Sequence, residues 1–137
     1  MMLLASLAAA IALQAGWTWT LYDGEGPLVL AHEIPDTPQL KATFECQPGS
    51  GVARLSLYGN ALDGGFANLS AGQASAAAQA RVDTDHLSLA LRTEHPVFAQ
   101  FIRTGTIDVA VAGVHRLVEV PSAHRAKLRR FAELCTG

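Results

Sequence analysis

The sequence predicts a mainly β domain of the α+β kind, an antiparallel β-sandwich or open barrel with a short helix near residues 96–103 and a C-terminal helix near 122–135. Three observations predict it. Apolar and polar residues alternate through a succession of short segments, the period of a half-buried strand. Clusters of Gly, Pro, Asn and Asp separate those segments. Only in the last third does the apolar spacing change to the 3.6-residue period of a helix.

The elements follow in order. Trp17, Trp19 and Leu21 share one face of a first strand, and the turn at residues 23–27 leads to a second over 28–33. Pro35 and Pro38 bracket a loop. Leu40, Ala42, Phe44 and Cys46 face inward on a third strand, and Ala53, Leu55 and Leu57 on a fourth, the two joined as a hairpin through residues 47–51. Residues 59–72 hold Asn, Asp and glycines around Phe66 and read as a loop. In residues 73–83 pattern opposes propensity. Alanine favours helix, yet Gln73, Ser75, Gln79, Arg81 and Asp83 fall on one parity and Ala74, Ala76, Ala78, Ala80 and Val82 on the other. A helix cannot segregate a period of two, so this is a strand with Gln79 and Arg81 accessible and Ala78 and Ala80 buried. Leu87, Leu89 and Leu91 alternate in the next. Pro96 then opens a helix striped by Val97, Phe98, Phe101 and Ile102, and Gly105 stops it. Strands over 107–111 and 115–120 turn at Ala112-Gly113. Ser122 caps the last helix, where Leu128, Phe131, Ala132 and Cys135 keep the i, i+3, i+4, i+7 spacing.

The first fifteen residues bear on compartment. Residues 3–13 are an apolar run, too short to span a bilayer as a stable helix, and it ends at Gln14-Ala15. That is the pattern of a secretory signal peptide over 1–15, although no Lys or Arg precedes the run and Leu13 is larger than the usual residue three before a cut. A retained anchor is the alternative. Residues 16–137 then form a single domain in the periplasm or outside the cell, with no stable membrane insertion after cleavage. Its two cysteines, Cys46 and Cys135, pair as a disulfide in an oxidising compartment.

Composition and motifs narrow the function. A net charge of −2 over 137 residues lacks the basic excess that phosphate binding requires, which argues against nucleic acid. The sequence has no G-x-S-x-G elbow, H-E-x-x-H, P-loop or dinucleotide fingerprint, and predicts neither an enzyme nor a cofactor. Asp83, Asp85 and His86 are the most metal-like cluster, but three polar residues at a strand turn fall short of a ligand set, so no metal is expected. Trp17 and Trp19 suit a sugar-stacking platform, yet their alternation places them in the core. The strongest surface feature is the outer face of the last helix. Arg125, Lys127, Arg129 and Arg130, with His124 and Arg116 nearby, would suit an acidic partner or an anionic lipid, or simply solvate the helix.

Some of these residues also form a recognisable arrangement. A Trp just after the apolar leader, Leu40-x-x-x-Phe44-x-Cys46, Arg81-Val82-Asp83, Phe98-x-x-Phe101-Ile102 before Gly105 and a terminal helix ending in Cys135 resemble the periplasmic accessory proteins of type VI secretion systems, the VasI type. A further likeness is to the invasion-associated locus B proteins. Glu45 before the cysteine departs from the pattern, which has a basic residue there. The resemblance implies a disulfide-bearing β-sandwich and a non-enzymatic accessory role, and assigns no binding residue. The expected function is a periplasmic binding or accessory module that contacts an envelope protein. An inhibitor or immunity protein against an envelope hydrolase, with residues 59–72 protruding, is a second expectation, and an uncharacterised enzyme a third.

Overall fold

The computed structural model describes residues 16–59 and 63–137, so the leader at 1–15 lies outside the described residues. Nine strands make one antiparallel sheet: β1 (Thr18–Tyr22), β2 (Leu28–Glu33), β3 (Leu40–Cys46), β4 (Val52–Tyr58), β5 (Gly65–Ala71), β6 (Ala74–Val82), β7 (His86–Arg92), β8 (Thr106–Val111) and β9 (Val114–Glu119). Among the described residues two α-helices accompany it, α1 (Pro96–Thr104) and α2 (Arg125–Thr136). The strand order is β1-β2-β3-β4-β7-β6-β5-β8-β9. The fold is thus mainly β, as the alternation predicts, with the sheet curled into a half-barrel.

The curl happens at β6. Its length pairs with β5 from Ala74 to Ala80, but only Arg81 and Val82 pair with β7, opposite Ser88 and Leu87. The two wings of the sheet are therefore hinged through one strand, and their concave sides face each other. The helices fill that space: α1 lies on β5, β6 and β8, and α2 on β1, β2 and β4. Phe44 on β3 is the centre of the shared core, stacked on Phe101 of α1 at 5.1 Å and tilted against Phe131 of α2 at 6.2 Å.

The strand over 74–82 has the solvent-facing parity that the sequence implies. Gln79 and Arg81 are exposed and Ala80 is buried, whereas Ala78 is only half-buried and Val82, on the inward parity, is 57 % exposed beyond the reach of the helix. Small residues are needed here because α1 packs directly on this wing. A Cβ on neighbouring Gly72 would stand 2.5 Å from the Gln100 side chain of that helix.

The segment read as a loop, 59–72, is corrected. Residues 65–71 form β5, with Ala67, Leu69 and Ala71 buried and Phe66, Asn68 and Ser70 outward. Its inward face is mostly alanine for the same reason of close helix approach, which weakened the signal. Ser122 is a second correction. It begins a 3-10 turn, Ser122–His124, and α2 starts at Arg125 after His124 with no side-chain cap. Helix α1 is instead fully capped: His95 Nδ1 accepts from the Val97 amide, Pro96 follows, and Gly105 closes the end at φ 80°.

Gly105 serves three elements at once. Its N–H donates to Phe101 O to end α1, its C=O accepts from Val120 N at 2.7 Å beyond β9, and Arg125 lies across it. A Cβ would stand 2.5 Å from Val120 O and 2.6 Å from Arg125 Nε. Gly105→Ala is therefore expected to cost more than about 2 kcal/mol, the left-handed conformation alone accounting for ~1–2. Gly26 has φ 88° with nothing within 4 Å of the added carbon. Gly26→Ala should show only the conformational part, and equal losses for the two variants in denaturant unfolding would refute the steric argument.

The disulfide joins Cys46 at the end of β3 to Cys135 in the last turn of α2, with Cα atoms 5.8 Å apart. Around it, the amides of Gly49 and Gly51 donate to Leu134 O and Cys135 O, both at 2.9 Å. The turn between β3 and β4 thereby satisfies helix carbonyls that have no partner within the helix.

Candidate functional site

Among the described residues the half-barrel does not close, and the edges of β1 and β9 face one another across a cleft of about 380 Å³. Successive residues line it on both sides, Trp17-Thr18-Trp19 from β1 and Arg116-Leu117-Val118-Glu119 from β9. Successive residues of a strand point to opposite faces. Strand edges therefore form its two rims, while His32, Ala42 and Leu57 from the inner faces of β2, β3 and β4 line its floor. Trp19 Nε1 donates across the seam to Glu119 O at 3.1 Å.

The aromatic wall is built in layers. Trp19 is buried and stacks on His32 with centroids 4.7 Å apart and planes at 10°. Trp17 meets the same imidazole edge-on at 5.5 Å and remains 38 % exposed. The core expectation therefore holds for Trp19 and fails for Trp17, which lies one residue before β1 at its open end. Burial holds the His32 imidazole below its ordinary pKa, and the charge of Lys41 and then His124 add to that. His32 is accordingly neutral near pH 7.

The cations arrive by two devices that alternation hides. Between β2 and β3 the register shifts, His32 facing Ala42 and Glu33 facing Leu40, so Lys41 is the extra residue of a bulge. A bulge re-aims its side chain. Lys41 is turned toward the cleft, with Nζ 4.5 Å from the Trp17 ring centroid, a cation–π contact. Arg116 sits on the inward parity of β9, between Val114 and Val118. Its Nη2 donates to Tyr58 O at 3.1 Å and to Lys41 O at 3.5 Å, bridging the two wings. Glu119 contributes the opposite charge at the far end of the β9 run. Arg116 held by two carbonyls, Lys41 over an indole and two strand edges make a surface suited to an anionic group attached to an apolar or extended chain.

The helix face singled out in the sequence does not present its four cations together. Arg125 donates through Nε and Nη2 to Val120 O at 3.4 and 3.3 Å. Lys127 Nζ donates to Trp19 O at 2.6 Å and to His124 Nδ1 at 3.2 Å. Both are half-buried braces that tie α2 to the seam. Arg130 pairs with Asp23 at 3.4 Å, while Arg129 is exposed and makes no ion pair among the described residues. Arg116 and His124, grouped with that face in the sequence, line the cleft instead.

Asp83, Asp85 and His86 do meet at the β6–β7 turn. His86 Nδ1 lies 2.9 Å from Asp85 Oδ1, and Nε2 lies 4.0 Å from Asp83 Oδ2. Both carboxylates are largely exposed, and among the described residues no group of three or more His, Cys, Asp or Glu is disposed to hold a metal ion. No family model, curated protein or solved structure matches the chain.

Proposed function

We propose that the chain is exported and that residues 16–137 act as a non-catalytic binding module of the bacterial envelope, engaging a protein partner at the seam cleft. The cleft itself carries the reading: Arg116 is held by the Tyr58 carbonyl and Trp19 by its stack on His32 before any ligand arrives, which lowers the ordering cost of binding, while exposed Lys41 and Trp17 supply charge and an aromatic face at the mouth. Three further observations support export. The leader has the pattern of a signal peptide, both cysteines are paired, and among the described residues no helix is long and apolar enough to cross a membrane. Likeness to the VasI type of accessory protein supports partnership in place of turnover. Cleavage after Ala15 would also leave an α-ammonium at Gly16, beside Trp17, adding positive charge to the mouth of the cleft.

An inhibitor with a protruding 59–72 loop loses its motivating feature, since 65–71 is a strand within the sheet. The test is made on protein from its native host. Intact mass should place the N-terminus at Gly16 or Trp17, and crosslinking in the native envelope should capture a partner that Trp17→Ala loses. Turnover of an envelope substrate by the wild-type protein, abolished by one polar substitution, would replace this reading with an enzyme.

A further inference from the structure

Resting on the binding-module reading, we infer that the free edge of β9 accepts an extended acidic peptide as an added strand, filling the seam of the half-barrel. The register shows which groups are open. Val111 faces Val114 across a two-residue turn, Val109 faces Arg116, Ile107 faces Val118, and the ladder continues with Val120 N donating to Gly105 O. In an antiparallel pair every second residue exchanges both bonds with its partner. Residues 114, 116 and 118 thus spend their backbone groups on β8, and the N–H and C=O of His115, Leu117 and Glu119 point toward the cleft. Trp19 Nε1 bonding to Glu119 O confirms that direction for one of them.

The two edges are not equally available. On β1 the Lys127 ammonium donates to Trp19 O, and the Trp19 ring shields the strand from within. On β9, His115 carries its imidazole to Asp108 Oδ2 at 2.8 Å on the outer face, away from the edge. Natural edges are usually blunted by proline, lysine, a bulge or a covering element. Between Val114 and Glu119 there is neither proline nor lysine nor bulge, and Leu117 is left 61 % exposed beside the open groups. An added strand gains main-chain bonds from such an edge and side-chain selectivity from alternate positions.

Charge selects the occupant. Lys41 and Arg116 face the cleft at one end, whereas at the other Glu119 offsets Lys127 and Arg125, which are tied to Trp19 O and Val120 O, so an acidic residue of the peptide is drawn to the Lys41 end. That polarity fixes the register of the incoming strand, with its acidic residue on the Lys41 side and an apolar one against Leu117.

The test uses an end-capped hexapeptide of alternating valine and glutamate and its lysine counterpart, titrated into the oxidised 16–137 protein. Expected are saturable amide shifts for the glutamate peptide, at least tenfold tighter binding than for the lysine peptide, and slowed hydrogen exchange at the amides of His115 and Leu117. Leu117→Pro removes one outward N–H while leaving the ladder to β8, which uses 116 and 118, and should weaken binding at least tenfold. Leu117→Ala keeps the N–H and should retain most of it, so loss in the alanine variant alone would reduce the site to an apolar contact and overturn the strand. Binding without protection at His115 and Leu117, or equal shifts with N-acetylglutamate alone, would make this a small-carboxylate site and also overturn it. Capture of an envelope partner unaffected by Leu117→Pro sinks strand addition and leaves the module reading standing. Failure to capture any partner, with the peptide results as expected, does the reverse.

Discussion

Breaking the Cys46–Cys135 bond lowers the stability of the domain by about 4–5 kcal/mol, the loop-closure entropy that a link across 89 residues removes from the unfolded chain. For a domain whose total is about 5–15 kcal/mol, that is a large share. The paired variant Cys46→Ala, Cys135→Ala should melt roughly 10–20 °C below the wild type. Both cysteines are buried, so a thiol reductant added to the folded protein must wait for the end of α2 to open. Reduction is therefore expected to be slow in buffer and much faster at denaturant concentrations short of the unfolding midpoint. The loss spreads unevenly. The β3–β4 turn still holds Leu134 O and Cys135 O through the Gly49 and Gly51 amides, but those bonds alone do not anchor the helix end. Lys127 and Arg125, about two and three turns before Cys135, brace the seam from that same helix. Reduced protein should accordingly lose the cleft before it loses the sheet, seen as faster hydrogen exchange at the Trp19 indole N–H while the amides of Phe44 and Leu55 stay protected. A reduced protein within about 1 kcal/mol of the oxidised one in denaturant unfolding would show that the native fold, and not the link, sets the stability.

Most of the scaffold was legible because its strands carry large apolar residues on one parity. Leu55 and Leu57 on β4, and Leu87, Leu89 and Leu91 on β7, can satisfy burial in no other register. The pairing of Cys46 with Cys135 was legible for the same reason, since each lies on an inward face of its own element. Strand β5 was not, because helix packing shrinks its inward residues to Ala67, Leu69 and Ala71 among glycines that read as turn. The cleft divides in the same way. Arg116 interrupts the apolar parity of β9, and a cation at an inward position is a signal that sequence reasoning could have used. Lys41 carried no such mark: simple alternation places it outward, and only the bulge opposite Glu33 brings it round to Trp17. The cations of α2 looked like a surface because sequence periodicity assigns a face without showing which backbone carbonyls lie within reach. Arg125 and Lys127 are long enough to find Val120 O and Trp19 O, which turns an apparent binding patch into a structural strap.

Phe44→Ala is expected to cost about 3–5 kcal/mol, the usual range for removing a fully buried phenylalanine. Phe44 has no exposed surface and touches elements distant in sequence: Trp19 on β1 at 6.3 Å, Phe101 on α1 at 5.1 Å and Phe131 on α2 at 6.2 Å between ring centroids. None of those neighbours can close the void alone, because each is held by its own element. Phe66, 74 % exposed on β5, supplies the contrast, and Phe66→Ala should stay within about 0.5 kcal/mol. Phe44→Leu keeps most of the volume and should lose less than about 1.5 kcal/mol, provided the leucine finds a relaxed rotamer. Since Phe44 and Phe131 share one contact, their alanine substitutions should combine less than additively, the second enlarging a cavity the first has opened. Function should respond before folding does. Trp19 rests on Phe44 and bonds across the seam to Glu119 O, so Phe44→Ala should release the Trp19 indole while the sheet remains paired. That outcome is a loss of near-ultraviolet circular dichroism and of partner capture at temperatures where the far-ultraviolet signal is unchanged. Unaltered capture with a destabilisation in the full range would show that the cleft is held by the β1 and β9 backbones alone, and not by the aromatic core beneath them.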